Sequence, residues 1–262
     1  MASLVVLAVS GDQFIIALAR IAGTLRIRPT VAAALVGGLG TSVAELIVAG
    51  VAARSSPALA VGSLAGSISA NVCLGLAIAA LVTRVSVDSK TVRREAPLSV
   101  GAVALFASFA LGSVTRVRGL IMLAGLLLVV TALLLLARRP RADPLGPQLA
   151  EFAGVRLHRS PLEVVRALVT LAVMLGGAEL MVWSSIALSG HFGISKGFAG
   201  LTLVGVGTSA PLIAASVQAA RRGEHDLVVG NVLGGNLFIA LGGGAIVGLI
   251  APSACAQVSG AG

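Results

Sequence analysis

Ten acidic residues occur in this 262-residue chain, and three of them, Asp12, Glu45 and Glu179, fall inside apolar runs. An acid at the centre of a membrane span costs roughly 2.5–3.5 kcal/mol on insertion scales, so it persists where it faces a cavity or a partner. Glu45 has the richest surroundings. It follows Ser42 by three residues, close to one helical turn, so both side chains can face one cavity. Thr41 precedes Ser42, and Gly37, Gly38 and Gly40 precede both. These glycines are expected to let the helix unwind. Unwound carbonyls, hydroxyls and one carboxylate make an oxygen-rich cation site. Ser67 and Asn71, four apart on the next apolar segment, can complete the shell or can simply hydrogen-bond between helices. The plain alternative for Glu45 is a neutral packing residue. Asp12 and Glu179 are read as structural rather than ligating.

The composition says what kind of protein must hold such a site. Apolar residues make up 57% and charged residues 11%, with a mean hydropathy of +1.03. A soluble domain carries about 25% charge. A soluble enzyme, a disordered chain and a nucleic-acid-binding module are therefore excluded, and a polytopic all-α membrane protein is expected. The net charge of +9 comes from basic residues placed between apolar runs, a pattern of membrane orientation rather than of nucleic-acid binding. Cys73 and Cys255 have no metal-ligand spacing, and Cys73 reads as a small packing residue. Ala17, Leu18 and Ala19 resemble a signal-peptide cleavage site, but no basic segment precedes them and Asp12 and Gln13 interrupt the apolar stretch.

Eight membrane-spanning helices are expected, at 3–19, 29–53, 57–82, 97–114, 118–137, 163–188, 194–220 and 227–250. Alternate connections hold most of the basic residues: Arg20, Arg26 and Arg28; Arg84, Lys90, Arg93 and Arg94; Arg138 to Arg166; Arg221 and Arg222. The opposite side has Arg54, Arg116, Arg118 and Lys196. By the positive-inside rule the N-terminus is outside and the 138–163 loop is cytoplasmic. That loop, with Pro140, Pro144, Gly146, Pro147 and Pro161, separates a first repeat at 1–137 from a second at 164–262.

The two halves are copies. The segment GGLGTSVAE at 37–45 answers to GVGTSAPL at 205–212. Thr208 and Ser209 lie 167 positions after Thr41 and Ser42, and Glu179 lies 167 after Asp12. GSLAGSISAN at 62–71 matches GNVLGGNLFI at 230–239 with an offset of 168. The second expected helix starts inside and the seventh starts outside, so the copies are inverted. Inverted repeats with glycine-interrupted helices are the signature of secondary transporters, whose ion site lies at the repeat interface. Thr208 and Ser209 therefore join the candidate cation site of Glu45, Thr41, Ser42, Ser67 and Asn71. The competing reading is that the small residues merely let helices pack closely.

These paired segments resemble the alpha repeats of the cation/calcium antiporter superfamily, which includes the sodium/calcium exchangers. The family pattern is GTS-x-P-E followed by GN-x-x-GSN-I-F-N or -D, once in each half. The resemblance implies ten helices, exchange of sodium or protons against calcium at one central site, and alternating access by movement of helices 1 and 6. The family's last two helices have no counterpart here, so truncation or another subunit is expected. Thr41, Ser42 and Glu45 match the first motif, with Ala44 in place of its proline. Gly62, Gly66, Ser67 and Asn71 match the second, with Ser63 and Ile68 in place of its asparagines. In the second half Thr208, Ser209, Pro211, Gly230, Asn231, Gly234, Asn236 and Phe238 match. There, however, Leu212 stands at the glutamate position, Gly235 at the serine position and Ile239 at the terminal acid position.

Calcium takes six to eight oxygens with strong charge compensation. One carboxylate leaves a buried divalent ion under-compensated. The expected function is a cation antiporter centred on Glu45 with weakened calcium binding or a changed ion. Its cargo is Ca2+, Na+ or H+, and no cofactor is expected. Its partners are the lipid bilayer and small cations, not nucleic acid, and a homo- or hetero-oligomer is compatible with it. The alternative is a non-transporting scaffold or partner subunit that kept the fold and lost the site. A membrane enzyme ranks third, since no nucleophile–base set or metal-binding cluster is present and His158, His191 and His225 are expected in loops.

Overall fold

The computed structural model describes residues 2–24, 29–82, 89–112, 114–137, 161–221 and 225–252. The side chains of Asp12 and of residues 29–41, Thr41 included, are among those outside the described set, as are His158 and residues 138–160 of the expected linker. Every described element is helical, as a bilayer demands, because only internally bonded helices or closed barrels satisfy their backbone in lipid.

The first half contains α1 (Ala2–Thr24), α2 (Pro29–Ser55), α3 (Pro57–Ala70), a wider π-helical turn (Asn71–Leu76), α4 (Ala77–Val82), α5 (Ser89–Leu111) and α6 (Arg116–Ala137). The second contains α7 (Pro161–Phe192), α8 (Lys196–Ala199), a π-helical turn (Gly200–Val204), α9 (Gly205–Thr208), α10 (Ala210–Arg221), α11 (His225–Phe238), a π-helical turn (Ile239–Gly243) and α12 (Gly244–Ile250). Each of the eight expected segments falls largely on helix. Among the described residues three stretches, 57–76, 162–192 and 228–250, are long and apolar enough to cross a bilayer.

Local signals set the joints. Ser56 caps α3 by accepting from the Leu59 N–H at 3.4 Å, with Pro57 in the first turn, where its missing N–H costs nothing. Ser195 caps α8 in the same way, accepting from Phe198 N–H at 3.2 Å. Gly193 ends α7 in the left-handed region at φ 64°, and the Ile194 N–H then reaches back to the Ser189 carbonyl at 3.0 Å.

Several expectations need correction. The glycines before Thr41 do not unwind their helix: Pro29–Ser55 is continuous. Glycines at other positions serve close approach. A methyl group on Gly66 would lie 2.1 Å from the Leu201 carbonyl oxygen, and one on Gly205 would lie 2.6 Å from Gly66 Cα. Helices α3 and α9 thus touch backbone to backbone, the small-residue packing that lipid favours. The basic residues Arg93 and Arg94, expected in a loop, lie on α5, which begins at Ser89. Cys73 is exposed rather than packed. His191 lies in the last turn of α7 and His225 opens α11.

Contacts fix the relative direction of the helices. Near the C-terminal end of α2, a methyl on Gly50 would come 3.5 Å from Ile246 of α12. Gly62, near the start of α3, abuts the Gly197 backbone, and Gly119, near the start of α6, abuts Gly248 of α12. Arg54, Arg116, Arg118 and Lys196 therefore gather at one end of the bundle. From that end α2 arrives while the 196–221 segment departs, and α3 departs while the 225–250 segment arrives. Repeat-related helices run in opposite directions. The π-helical turns repeat as well: Asn71 and Ile239, which begin two of them, are 168 positions apart.

Candidate functional site

The inverted halves meet where their motifs cross. Ser42 and Glu45 project from α2, Ser67 from the last turn of α3, and Asn71 from the π-helical turn that follows. From the other half come Thr208, which ends α9, Ser209 in the single-residue break before α10, and Gly235 and Asn236 on α11. Ser42, Glu45, Ser67, Asn71, Thr208, Ser209 and Asn236 are all buried.

Hydroxyls tie the halves together. Ser42 Oγ donates to the Gly235 carbonyl at 3.4 Å, and Ser209 Oγ lies 3.5 Å from the Ser67 carbonyl. Ser67 Oγ and Thr208 Oγ1 are 3.1 Å apart. Ser67, Thr208 and Ser209 all reach the Gly205 carbonyl, at 3.2, 3.2 and 2.9 Å. A hydroxyl has one proton and two lone pairs. With the protons turned to a carbonyl, the oxygens keep lone pairs for a positively charged guest.

Glu45 is 2% exposed, and neither carboxylate oxygen has a hydrogen-bond partner. A buried carboxyl group is paired, holds a cation or takes up a proton, because an isolated buried charge is too costly. The Asn71 side-chain carbonyl is also buried without a partner, although its amide nitrogen donates to Asn236 Oδ1 at 3.0 Å. Asn71 thus makes a bond between helices and keeps a buried oxygen without a partner.

The second half fills the corresponding space with hydrocarbon. Leu212 is fully buried. Its two methyls reach between helices: a methyl on Gly235 would meet Leu212 Cδ1 at 2.9 Å, and one on Gly75 would meet Leu212 Cδ2 at 3.6 Å. Ile239 is fully buried as well. Among the described residues no three His, Cys, Asp or Glu side chains gather. Glu179 lies exposed on α7. The side chains of Thr41 and Asp12 lie outside the described residues.

Two buried polar residues at the centre are absent from the sequence-derived candidates. Asn236 was visible only as a motif match, with nothing to say that it bonds Asn71. Ser216, one turn after Leu212 on α10, has a buried hydroxyl with no partner. Its signal was the spacing of four from a motif position.

The chain has relatives among known proteins. The sodium/calcium exchanger protein family matches residues 1–136 and 162–260. CaxA, a candidate antiporter of Alkalimonas amylolytica, is 32% identical over 253 residues, 95% of this chain and 79% of that one. The inner membrane protein YrbG of Escherichia coli strain K12 is 35% identical over 236 residues, 87% of this chain and 72% of that one. The crystal structure of the H+/Ca2+ exchanger CAX superposes with a TM-score of 0.71 at 16% identity, covering 95% of this chain and 68% of that one. The crossed, inverted motifs thus mark this chain as a polytopic membrane protein that belongs to the sodium/calcium exchanger protein family.

Proposed function

We propose that this chain is a cation antiporter whose single charged ligand is Glu45. The observation that carries the reading is a fully buried carboxylate without a hydrogen-bond partner, at the interface of two inverted repeats lined with hydroxyls. Ser42, Ser67, Thr208 and Ser209 contribute neutral oxygens, Asn71 contributes its carbonyl, and Thr41 belongs to the same motif. One carboxylate compensates one positive charge. At the place of a second acid stands Leu212, and at the place of a third stands Ile239. The preferred cargo is therefore sodium or a proton, with calcium bound weakly. Movement of α1 and α7 against the core alternates access to the site. The basic-rich end of the bundle, with the 138–163 loop, faces the cytoplasm and the N-terminus faces outside.

The test is flux in proteoliposomes given sodium or proton gradients, with sodium, proton and calcium movement followed. Wild type is expected to exchange, and Glu45→Gln is expected to lose about a hundredfold or more of the rate, since a carboxamide holds no charge. Equal flux through both proteins would overturn the role of Glu45. The buried hydrocarbon of Leu212 favours a second reading, a scaffold that kept the fold. No flux in any gradient, together with a stable complex with another membrane protein by native mass measurement, would support it.

A further inference from the structure

The donors and acceptors around Asn236 form an ordered chain with one orientation. The Ile68 carbonyl can only accept, and Asn236 Nδ2 donates to it at 3.2 Å. That commitment leaves Asn236 Oδ1 as the atom facing Asn71, so Asn71 must present its amide nitrogen, which it does at 3.0 Å. The Asn71 carbonyl oxygen is thereby turned the other way. It is buried, and it has no partner. A backbone carbonyl, which cannot flip, therefore determines through one intermediate amide which end of Asn71 is offered to the ion site. The arrangement has no copy in the inverted partner: the residues repeat-related to Asn71 and Asn236 are Ile239 and Ile68.

We propose that Asn236 is a positioning residue for cation binding: it holds the Asn71 amide so that oxygen, not the N–H group, faces the guest. This rests on the assignment of Asn71 to the cation site. Without Asn236 the Asn71 amide is free to rotate, and an NH2 group turned to the site repels a cation.

The experiment is a double-mutant cycle on the full chain purified in detergent. Sodium chloride is titrated and binding is read by thermal shift and calorimetry, with calcium chloride as a second probe. Asn236→Leu is expected to raise the half-saturating sodium concentration about fivefold or more, while in an Asn71→Ala background the same change shifts it by less than about twofold. A merely structural role would move both backgrounds alike. An equal shift in the two backgrounds, or none in either, overturns the proposal and leaves Glu45 as the charged ligand. Absence of sodium and calcium binding in wild type overturns the proposal and sodium as the cargo, and leaves the proton. If Asn236→Leu does not fold, Asn236→Ser, too short to bridge Ile68 and Asn71, is read in the same way.

Discussion

Ser42 and Ser209 stand in the same relation to opposite halves of the protein. Each places its hydroxyl oxygen beside a backbone carbonyl of the other repeat, Ser42 donating to Gly235 at 3.4 Å and Ser209 lying 3.5 Å from Ser67 while its one proton goes to the Gly205 carbonyl at 2.9 Å. Gly235 and Ser67 are themselves repeat-related positions. The two contacts are one arrangement written twice by the inverted symmetry, and they bring the halves together.

This symmetry makes a quantitative expectation. Ser42→Ala should cost about 0.6 kcal/mol of stability, the average for an interhelical hydrogen bond in a membrane protein, and Ser209→Ala no more than that, since its shorter bond stays within its own repeat. The double variant should be close to additive, because the two bonds share no atom. Unfolding of the purified protein in detergent measures all three. A cost several times larger for one serine would show that the symmetry is geometric but not energetic.

The glycine contacts separate two kinds of position. Gly66→Ala places a methyl 2.1 Å from a backbone oxygen, and Gly205→Ala places one 2.6 Å from a backbone carbon. Neither neighbour is a flexible side-chain tip, so each change should cost about 3 kcal/mol or more. Gly176 in α7 has open space around its Cβ position. Gly176→Ala should stabilise the helix by about 0.5–1 kcal/mol, the usual helix preference for alanine over glycine. The yield of monodisperse protein and its unfolding midpoint report both outcomes.

Leu212→Glu would return a second acid to the centre. Two carboxylates compensate a divalent ion, so calcium affinity should rise about tenfold or more, equivalent to about 1.4 kcal/mol. Calorimetric titration with calcium chloride measures this directly. Unchanged calcium affinity in a folded variant would mean that residue 212 does not face the ion.

Glu179 provides the contrast with Glu45. Both are acids inside apolar segments, yet Glu179 is exposed on α7 and Glu45 is buried between repeats. Glu179→Gln should change the half-saturating sodium concentration by less than about twofold, as for a surface substitution. Sodium-driven flux in liposomes checks it, and a loss comparable with that of Glu45→Gln would move the proposed ion path toward α7.

The apolar runs and the two motif copies located the helices because lipid imposes a length and leaves few backbone options. The motif also brought Ser42, Glu45, Ser67, Asn71, Thr208 and Ser209 into one candidate set, and all six are buried where the repeats cross. The glycines before Thr41 leave their helix continuous, whereas Gly66 and Gly205 lie against another backbone. A glycine loosens a lone helix, but against another backbone it permits contact, and only the neighbour decides which applies. Arg93 and Arg94 look like loop residues because charge shuns lipid, but a helix can extend beyond the membrane with charged residues on its end.

The sequence by itself determined a helical membrane protein of two inverted copies with one acid at the motif in the first copy and leucine at that place in the second. Those facts reside in hydropathy, spacing and residue identity, which do not depend on how helices pack. Only the tertiary structure decided that Glu45 is buried without a partner, that Leu212 spans the gap between Gly235 and Gly75, and that Asn236 accepts from the Asn71 amide while donating to the Ile68 carbonyl. Hydrogen-bond direction is a property of pairs of atoms more than a hundred residues apart in the chain, and nothing short of their meeting in space can fix it.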